Sequence, residues 1–317
     1  MVNTKDGTST RAAILDILRN NGTSVSGEKI AASLGVSRVA VWKGIQSLNE
    51  NGYTIHSSSG GYRLEGDDLT GIFPWEFGSS ESRFRHWAET DSTMNRAREL
   101  ALSGADNGMV ITASRQSEGR GTGEKKWESP EGGLFFTLIT RPSLNWVYAH
   151  RQILAAQNAM TSAIRTLSGA DAWNLWPNDI YIESGKVGGI LMETLSSGNR
   201  ITFSNLGIGI NTCGESSLAK NVPENDSLPG RASLSINRKE LLKQFLREFE
   251  KTAAAPDEIV PAWNTLCPLT GKKIDFCSGA LRYTGIFRGV DAEGYALIDE
   301  SRYGAGTISI LHKGCEK

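Results

Sequence analysis

Two serine-capped helical segments on either side of one glycine constrain the start of this chain more than any other feature. Ser26 is a favourable N-cap for a helix over 27–34, and Ser37 is one for a helix over 38–49. Gly35 lies between them, where a left-handed glycine commonly ends a helix. Two short helices joined by a tight turn that contains glycine predict a helix-turn-helix.

A preceding helix and a following hairpin complete this motif. A helical pattern of apolar residues begins at Thr10, and the segments 52–56 and 62–64 are typical of a β-hairpin around Ser-Gly-Gly. Residues 1–66 are therefore predicted to form a winged helix-turn-helix DNA-binding domain, with the helix from Ser37 to Leu48 in a major groove. The residues expected at DNA are Ser37, Arg38, Val41, Trp42 and Lys43. Whether Trp42 contacts DNA or packs internally stays open.

The rest of the chain separates into two blocks after a linker-like Gly-Asp-Asp segment at 66–68. Residues 80–266 mix strand-like runs with helical patterns over 145–167 and 238–253, which predicts an α+β domain around a mostly antiparallel sheet. Residues 268–317 hold short runs that alternate apolar and polar side chains between glycines. That pattern predicts a small β-barrel.

Composition limits the function classes. The formal net charge of −1 over 317 residues excludes a protein that coats nucleic acid generally, so any DNA contact must be local. The cysteines are scattered without metal-ligand spacing, which favours reduced thiols over a zinc or disulfide framework. They are Cys213, Cys267, Cys277 and Cys315. The N-terminus lacks an apolar leader and no run of about 18 apolar residues occurs, so we expect a cytoplasmic protein without a membrane partner.

A glycine-rich segment over residues 116–127 carries the strongest chemical signal. Glycines at alternate positions, Gly119, Gly121 and Gly123, leave backbone N–H groups free to face an anion. Cationic and aromatic side chains accompany them: Arg120, Lys125, Lys126 and Trp127. The segment is neither a P-loop nor a Rossmann turn, so a bound nucleotide would need another geometry. A solvated surface loop is the alternative interpretation.

Two further segments offer ligand-binding groups. Ser92 and Thr93 follow Asp91, where they are typical of a helix N-cap and also present two hydroxyls to a small polar ring. Residues 175–193 are predicted to form a hairpin with Lys186 at its turn. Two glycines close behind Lys186 would let a ligand approach the backbone.

In this order, these segments resemble the biotin–protein ligases. The shared motifs are Ser-Thr after Asp91, Gln116-x-x-Gly-Arg-Gly before Trp127, Trp176-Pro-Asn-Asp, Lys186-x-x-Gly-Ile-Leu, and Gly207-Ile-Gly-Ile-Asn. Together with the winged head, they make the chain similar to the ligases that also repress the biotin operon. The resemblance covers essentially all three blocks and implies a ligase domain of the biotin/lipoate ligase type followed by an SH3-like β-barrel.

The resemblance also implies a reaction and its partners. Biotin's carboxylate would be joined to the α-phosphate of ATP with release of pyrophosphate, with Mg²⁺ as the metal. A lysine of a biotin carboxyl carrier protein would then take the biotin. Operator DNA and a ligand-promoted homodimer are the other partners that it implies.

Residue roles follow from the same resemblance. Lys186 and Arg120 would be the catalytic cations that hold the biotin carboxylate and the phosphate. The biotin-binding residues would be Ser92, Thr93, Met94, Gln116, Arg120, Gly121, Thr122 and Lys186. Those at ATP would be Lys125, Lys126, Trp127, Asn178, Asp179 and Asn211, with Asp179 also contacting Mg²⁺.

The chain departs from the family pattern mainly in the glycine-rich loop. Thr122 and Gly123 stand where arginines are usual, and Glu124 adds an anion; Leu175 replaces a lysine and Met94 an asparagine. We expect an active enzyme that forms biotinyl-adenylate and holds it loosely. The alternatives are a biotin-sensing regulator with an impaired ligase domain, a lipoate ligase-like enzyme, and a DNA-binding regulator of another ligand.

Overall fold

The computed structural model of the chain describes residues 9–65, 71–123, 125–212 and 232–311. The chain divides into two compact units, residues 1–86 and 87–317. The predicted linker at 66–68, Glu124, Cys213 and Cys315 lie outside the described residues. The three-domain division at 1–66, 80–266 and 268–317 stays a prediction.

The first unit is a helix-turn-helix followed by a two-stranded hairpin, which confirms the predicted head. Its elements are α1 (Thr10–Asn21), α2 (Gly27–Leu34), α3 (Arg38–Glu50), β1 (Ile55–Ser58) and β2 (Gly61–Leu64). Ser26 and Ser37 cap α2 and α3 by accepting hydrogen bonds from the backbone N–H groups of Lys29 and Ala40. Gly35 ends α2 at φ 66°, in the left-handed region that favours glycine.

Helix α3 packs closely against α1. Gly44 permits this approach, since a Cβ at that position would lie 2.6 Å from Cδ1 of Ile14. Val41 lies on the same buried face as Ile45 and Leu48 and is fully enclosed in the head core. The expectation that Val41 contacts DNA is therefore wrong, because helical periodicity points its side chain away from the surface.

A buried carboxylate ties the segment after the hairpin into the same unit. Glu76 lies in a 3₁₀ segment, Pro74–Arg83, and its side chain is 2% exposed. Arg19 of α1 donates to both Glu76 oxygens, at 2.8 and 3.1 Å, and the Tyr53 hydroxyl donates to one of them. Burial, and then the adjacent Glu76, raises the pKa of Tyr53, which keeps the hydroxyl protonated as a donor.

The second unit is built on a seven-stranded sheet in the order β3-β4-β5-β9-β8-β7-β6. The strands are β3 (Phe84–Thr90), β4 (Val110–Gln116), β5 (Leu134–Thr140), β6 (Trp173–Leu175), β7 (Asp179–Ile182), β8 (Gly185–Ser197) and β9 (Arg200–Ile210). The described pairings from β4 to β6 are antiparallel, which agrees with the mostly antiparallel sheet that the sequence predicts.

Helices cover both faces of this sheet. Met94 of α4 (Thr93–Leu102) lies on Gly207, whereas Gln152 of α5 (His150–Ser168) donates to Ser204. Residues 204 and 207 differ in parity along β9, so the two helices lie on opposite faces. Helix α6 (Arg238–Ala254) packs beside α5 on its face, where Phe245 meets Phe136.

Two local predictions are corrected. The helix expected from residue 145 begins at His150, after a short 3₁₀ turn over Trp146–Tyr148. Ile182 pairs with Gly185, so the β7–β8 turn falls at residues 183–184, and Lys186 is the second residue of β8.

The C-terminal block forms a five-stranded sheet in the order β13-β12-β11-β10-β14. Its strands are β10 (Lys273–Ser278), β11 (Leu281–Val290), β12 (Ala296–Ile298), β13 (Ser301–Tyr303) and β14 (Ser309–Leu311). The sheet shares a core with α5 and α7 (Ile259–Leu266), in which the Trp176 indole N–H donates to the Gly294 carbonyl at 3.0 Å. The described pairings leave β13 and β14 as its two ends, so the closed barrel stays a prediction. Within the described residues, no helix is long and apolar enough to cross a membrane.

Removing the Glu76 carboxylate should destabilise the head. Glu76→Ala strands a partly buried guanidinium and a buried phenol, and breaking such a pair costs about 3 kcal/mol. We expect faster amide hydrogen exchange in α1 and α3 of the full chain. Glu65→Ala is the matched control, because Glu65 pairs with Arg63 at the surface and exposed pairs contribute only about 0–1 kcal/mol. Equal exchange in the two variants would contradict the role of Glu76.

Candidate active site

Two glycines on neighbouring strands form the floor of the candidate site. Gly209 of β9 and Gly189 of β8 are paired, and Asp179 of β7 continues the same row. The Trp127 indole lies directly on both glycines. A Cβ at Gly209 would lie 2.5 Å from Trp127 Cε2, and one at Gly189 would lie 3.1 Å from Cζ3. Only residues without a side chain allow this layer.

The glycine-rich segment forms a narrow loop above this floor. The Gly121 N–H donates to the Lys125 carbonyl at 2.8 Å, and the Trp127 N–H donates to the Gly119 carbonyl at 2.9 Å. Gly123 turns the loop at φ 66°. The loop borders a polar cleft whose lining is mostly cationic and polar: Asn95, Glu118, Gly119, Arg120, Gly123, Lys125 and Lys126. An anion is the ligand that this lining favours.

The N-terminus of α4 presents a connected set of hydroxyl and amide groups. Ser92 caps the helix, and its Oγ accepts from the Met94 N–H at 3.2 Å. Thr93 donates from its N–H and its hydroxyl to Oε1 of Gln116, at 2.8 and 3.1 Å. Thr137 of β5 donates to the Thr93 hydroxyl at 2.9 Å. These hydrogen bonds bring Ser92, Thr93 and Gln116 together at one end of the floor.

Asp91 holds in place the chain segment that leads into α4. Its carboxylate accepts from Asn95 Nδ2 at 2.7 Å and from the Thr90 hydroxyl at 2.8 Å, and Arg96 lies 3.2 Å away. The hydrogen bond from Asn95 contributes most to lowering the pKa of Asp91 to about 2. Asp91 is therefore ionised at neutral pH and anchors the chain that leads into Ser92.

Lys186 lies across the floor, beside Trp127. Its Nζ is 2.8 Å from Oδ1 of Asp179 and 5.6 Å from the centroid of the Trp127 ring. Asn178 precedes this aspartate, and its Nδ2 donates to the Thr122 hydroxyl at 3.2 Å and to the Ile190 carbonyl at 2.8 Å. The structure thus gathers Lys186, Asp179, Asn178, Thr122 and Trp127 around one space.

Arg120 is held by a carboxylate that the sequence analysis did not identify. Its Nη1 lies 2.5 Å from Oε1 of Glu193 and 3.5 Å from Oδ1 of Asn95. Glu193 follows Gly189 by four residues in β8, so strand alternation places the two on one face. That periodicity was the available signal for Glu193.

The Asn211 side chain is hydrogen-bonded to the backbone and does not face the open cleft. Its Nδ2 donates to the Ala232 carbonyl at 3.3 Å, and the residue is buried. The Ala232 N–H in turn donates to the Lys186 carbonyl at 3.0 Å. Asn211 therefore lies close to the Lys186 strand and supports it, with its amide donor already engaged.

Asn205, which the sequence analysis did not identify, lies on the same face of the sheet as the site. Asn205 is fully buried between Ile139 and Glu193, its cross-strand neighbours, and neither of its amide atoms has a hydrogen-bond partner in the described structure. The same holds for the indole N–H of Trp127. Buried polar groups without hydrogen-bond partners destabilise the folded protein. A ligand or water that supplies partners to Asn205 or Trp127 would therefore stabilise this face of the sheet.

Each of the two units contains one family match. Residues 87–211 match the Biotin/lipoate A/B protein ligase family, and residues 10–63 match a family described as HTH domain. The first match contains the glycine floor, the loop and Lys186. The second contains the three head helices and most of the hairpin.

Curated relatives share both regions. The Bifunctional ligase/repressor BirA of Bacillus subtilis is 32% identical over 265 residues, covering 76% of this chain and 77% of its own. Its namesake from Escherichia coli is 28% identical over 295 residues, covering 88% and 89%. A biotin protein ligase from Aquifex aeolicus, solved in complex with biotin and ATP, superposes with a TM-score of 0.58 at 26% identity. That superposition covers 72% of this chain and 97% of the other.

A side chain added to the glycine floor should displace Trp127. Gly209→Ala puts a methyl group within 2.5 Å of the indole, and overpacking of this kind costs about 1–3 kcal/mol. We expect urea to unfold this variant at a lower concentration. We also expect acrylamide to quench the fluorescence of Trp127 more readily, where that fluorescence is obtained by subtracting the spectrum of the matching Trp127→Phe protein. In the control Gly304→Ala, the nearest atom lies at an ordinary 3.5 Å, so neither property should change. A Gly209→Ala protein with unchanged quenching would disprove the layered arrangement.

Proposed function

We propose the function of this chain from its family membership and its site geometry. The chain belongs to the bifunctional biotin ligase/repressors. It is an ATP-dependent biotin–protein ligase with a DNA-binding repressor head. The observation that carries its residue-level mechanism is the convergence of Lys186, Arg120, the Thr93–Gln116 pair and Trp127 on one glycine-floored face.

The end of the site at α4 suits the polar ring of biotin. Ser92, Thr93 and Gln116 offer hydroxyl and amide groups whose positions are fixed by mutual hydrogen bonds. A urea-type ring needs donors and an acceptor within a small space, and these groups supply both. Met94, Gly121 and Thr122 would contact the rest of the ring.

The two paired cations suit the adenylation step. Two anions, the biotin carboxylate and the ATP phosphates, must approach each other before a bond can form. A carboxylate oxygen then attacks the α-phosphorus, and the bond from that phosphorus to the oxygen bridging to the β-phosphate breaks, so that pyrophosphate leaves. Lys186 and Arg120 would exchange Asp179 and Glu193 for these anions and stabilise the charge that builds up.

The nucleotide would lie between Trp127 and the strand that begins at Asp179. The side of the indole that faces away from the glycines would stack on a purine, while Lys125 and Lys126 would reach its phosphates as point charges. Asn178 and the backbone near Asn211 would line the same space. Support comes from the Aquifex aeolicus ligase, which binds biotin and ATP on a similar fold.

Asp179 fits a role in holding Mg²⁺. Magnesium at nucleotides is held by one or two carboxylates together with phosphates and water, so a single carboxylate suffices. Among the described residues, no cluster of three or more histidine, cysteine or acidic side chains suggests a separate metal site. Bound there, the ion would neutralise phosphate charge, and it would replace Lys186 as the partner of Asp179 once Lys186 turns to the substrate anions.

Transfer to the acceptor completes the reaction. A lysine amine of a biotin carboxyl carrier protein attacks the biotinyl carbonyl, AMP leaves, and the amine gives up a proton to form the amide. No nucleophile of the ligase itself is needed for either step. No observation favours the alternative of a regulator with an impaired ligase domain, and the winged head with its BirA relatives favours biotin over lipoate.

Three further features belong to the proposal. The C-terminal five-stranded sheet has the strand number and the small shared core of an SH3-like barrel. A ligand-promoted homodimer would bind operator DNA through two heads, since symmetric dimers match two half-sites. Cytoplasmic location stays a prediction from the sequence.

Loss of the Lys186 ammonium should block adenylation. Removing one preorganised donor typically costs about 2.7–4 kcal/mol of transition-state stabilisation, or about 10²–10³ in kcat. Lys186→Ala should therefore release pyrophosphate from biotin and ATP at that reduced rate and leave a labelled carrier domain unmodified. Lys272→Ala, which removes an exposed lysine just before β10, should keep full activity. Pyrophosphate release by Lys186→Ala at the unsubstituted rate would rule out the assignment.

Restoring one cation to the loop should prolong retention of the adenylate. Thr122 is exposed above the site, and a formed hydrogen bond from arginine to phosphate contributes about 1.5–3 kcal/mol, less where solvent screens it. After adenylate formation and removal of free ligand, Thr122→Arg should lose the intermediate about tenfold more slowly. Thr265→Arg adds the same charge on α7 and should change nothing. Equal half-lives would mean that Lys125 and Lys126 already supply the missing contacts.

A further inference from the structure

Two large apolar side chains are exposed on the outer face of α3. Val39 is 61% exposed and Trp42 is 52% exposed, although both belong to residue types that normally pack inside. The opposite face of the helix is fully used by the head core, including Val41 and Ile45. The structure therefore answers what the sequence left open, because Trp42 lies outside the core of the head.

Polar and cationic side chains surround this apolar pair. The other exposed residues on the outer face of α3 include Arg38, Lys43 and Gln46. Arginine and lysine contact guanine or phosphate, and glutamine contacts adenine. Two cations beside two apolar groups match a polyanion that displays methyl groups better than they match an apolar protein surface.

We propose that Val39 and Trp42 contact thymine methyl groups in the major groove, so that the head selects DNA for thymine as well as for charge. The proposal rests on the repressor function proposed above and adds what the helix recognises. Thymine is the only standard base with a methyl group on its major-groove edge, and apolar side chains contact it there. Burying that methyl against Val39 or Trp42 removes apolar surface from water on both partners.

The spacing of the pair limits which bases it can reach. Residues three apart on a helix have Cβ atoms about 5–6 Å apart. Base pairs stack at about 3.4 Å, so the two side chains would reach thymines one or two steps apart. Arg38 and Lys43 flank the pair and would lie on neighbouring guanines or phosphates.

The test begins with the full chain, loaded with biotin and ATP, and a pool of random DNA duplexes. Sequences enriched by binding should share at least one thymine position per half-site. Each such thymine is then replaced singly by deoxyuridine, which lacks only the methyl group. We expect about a fourfold loss of affinity at each contacted thymine, the effect of one buried methyl-sized group.

A double-mutant cycle assigns the loss to the side chains. In Trp42→Ala or Val39→Ala, the affinity difference between the thymine and deoxyuridine duplexes should vanish at the position that the residue contacts. Trp146→Ala is the matched control, because Trp146 is 55% exposed in the other unit and lies outside the proposed sites. In that variant the fourfold difference should remain.

The outcomes separate the two proposals. If no duplex is enriched, the repressor function fails and the inference with it. If specific duplexes bind but deoxyuridine costs nothing, or costs as much in Trp42→Ala as in the unsubstituted chain, only the thymine contact is overturned. A Trp42→Ala chain that binds DNA normally but loses self-association in sedimentation would show the pair to be a protein interface instead.

Discussion

The candidate site depends on the absence of two side chains. Gly189 and Gly209 pair across β8 and β9, and the Trp127 indole lies against the bare backbone of both. The loop that carries Arg120 ends at Trp127. The position of the Trp127 indole therefore also determines how far the loop lies from the sheet. A methyl group on either strand would lift both together. The glycines thus set the geometry on which the chemistry of the loop depends.

The two cations proposed to act in adenylation, Lys186 and Arg120, are held in ion pairs. Lys186 is paired with Asp179 and Arg120 with Glu193, so each charge is oriented and partly compensated; the side chain of Lys186 is 26% exposed and that of Arg120 is 42% exposed. An unpaired cation there would be costly to desolvate, whereas a paired one needs only to exchange its anion. Preorganisation of this kind lets phosphate and carboxylate charge replace protein charge with little rearrangement.

In the head, the two faces of helix α3 have different surroundings. Every fourth or third residue of α3 packs against α1, with Gly44 allowing close approach, and the residues between them are free to face outward. The buried face that stabilises the head and the exposed face proposed for DNA contact are therefore separate sides of the same thirteen residues. The buried Glu76 cluster adds rigidity from the segment that follows the hairpin, so that the outward face is held by more than the three helices.

The sequence by itself determined the local elements and the order of the motifs. Serine caps at 26 and 37 and the glycine at 35 predicted the head, because capping and left-handed turns depend on nearest neighbours. Helical periodicity already placed Val41 on one face of α3 with Ile45 and Leu48, whereas only the tertiary structure showed that Val39 and Trp42 stay exposed. The tertiary structure alone brought Glu193 to Arg120 and Asp179 to Lys186, since strand register and loop closure bring together residues distant in sequence. The motifs named the chemical groups, and the register of β7, β8 and β9 gave them their partners.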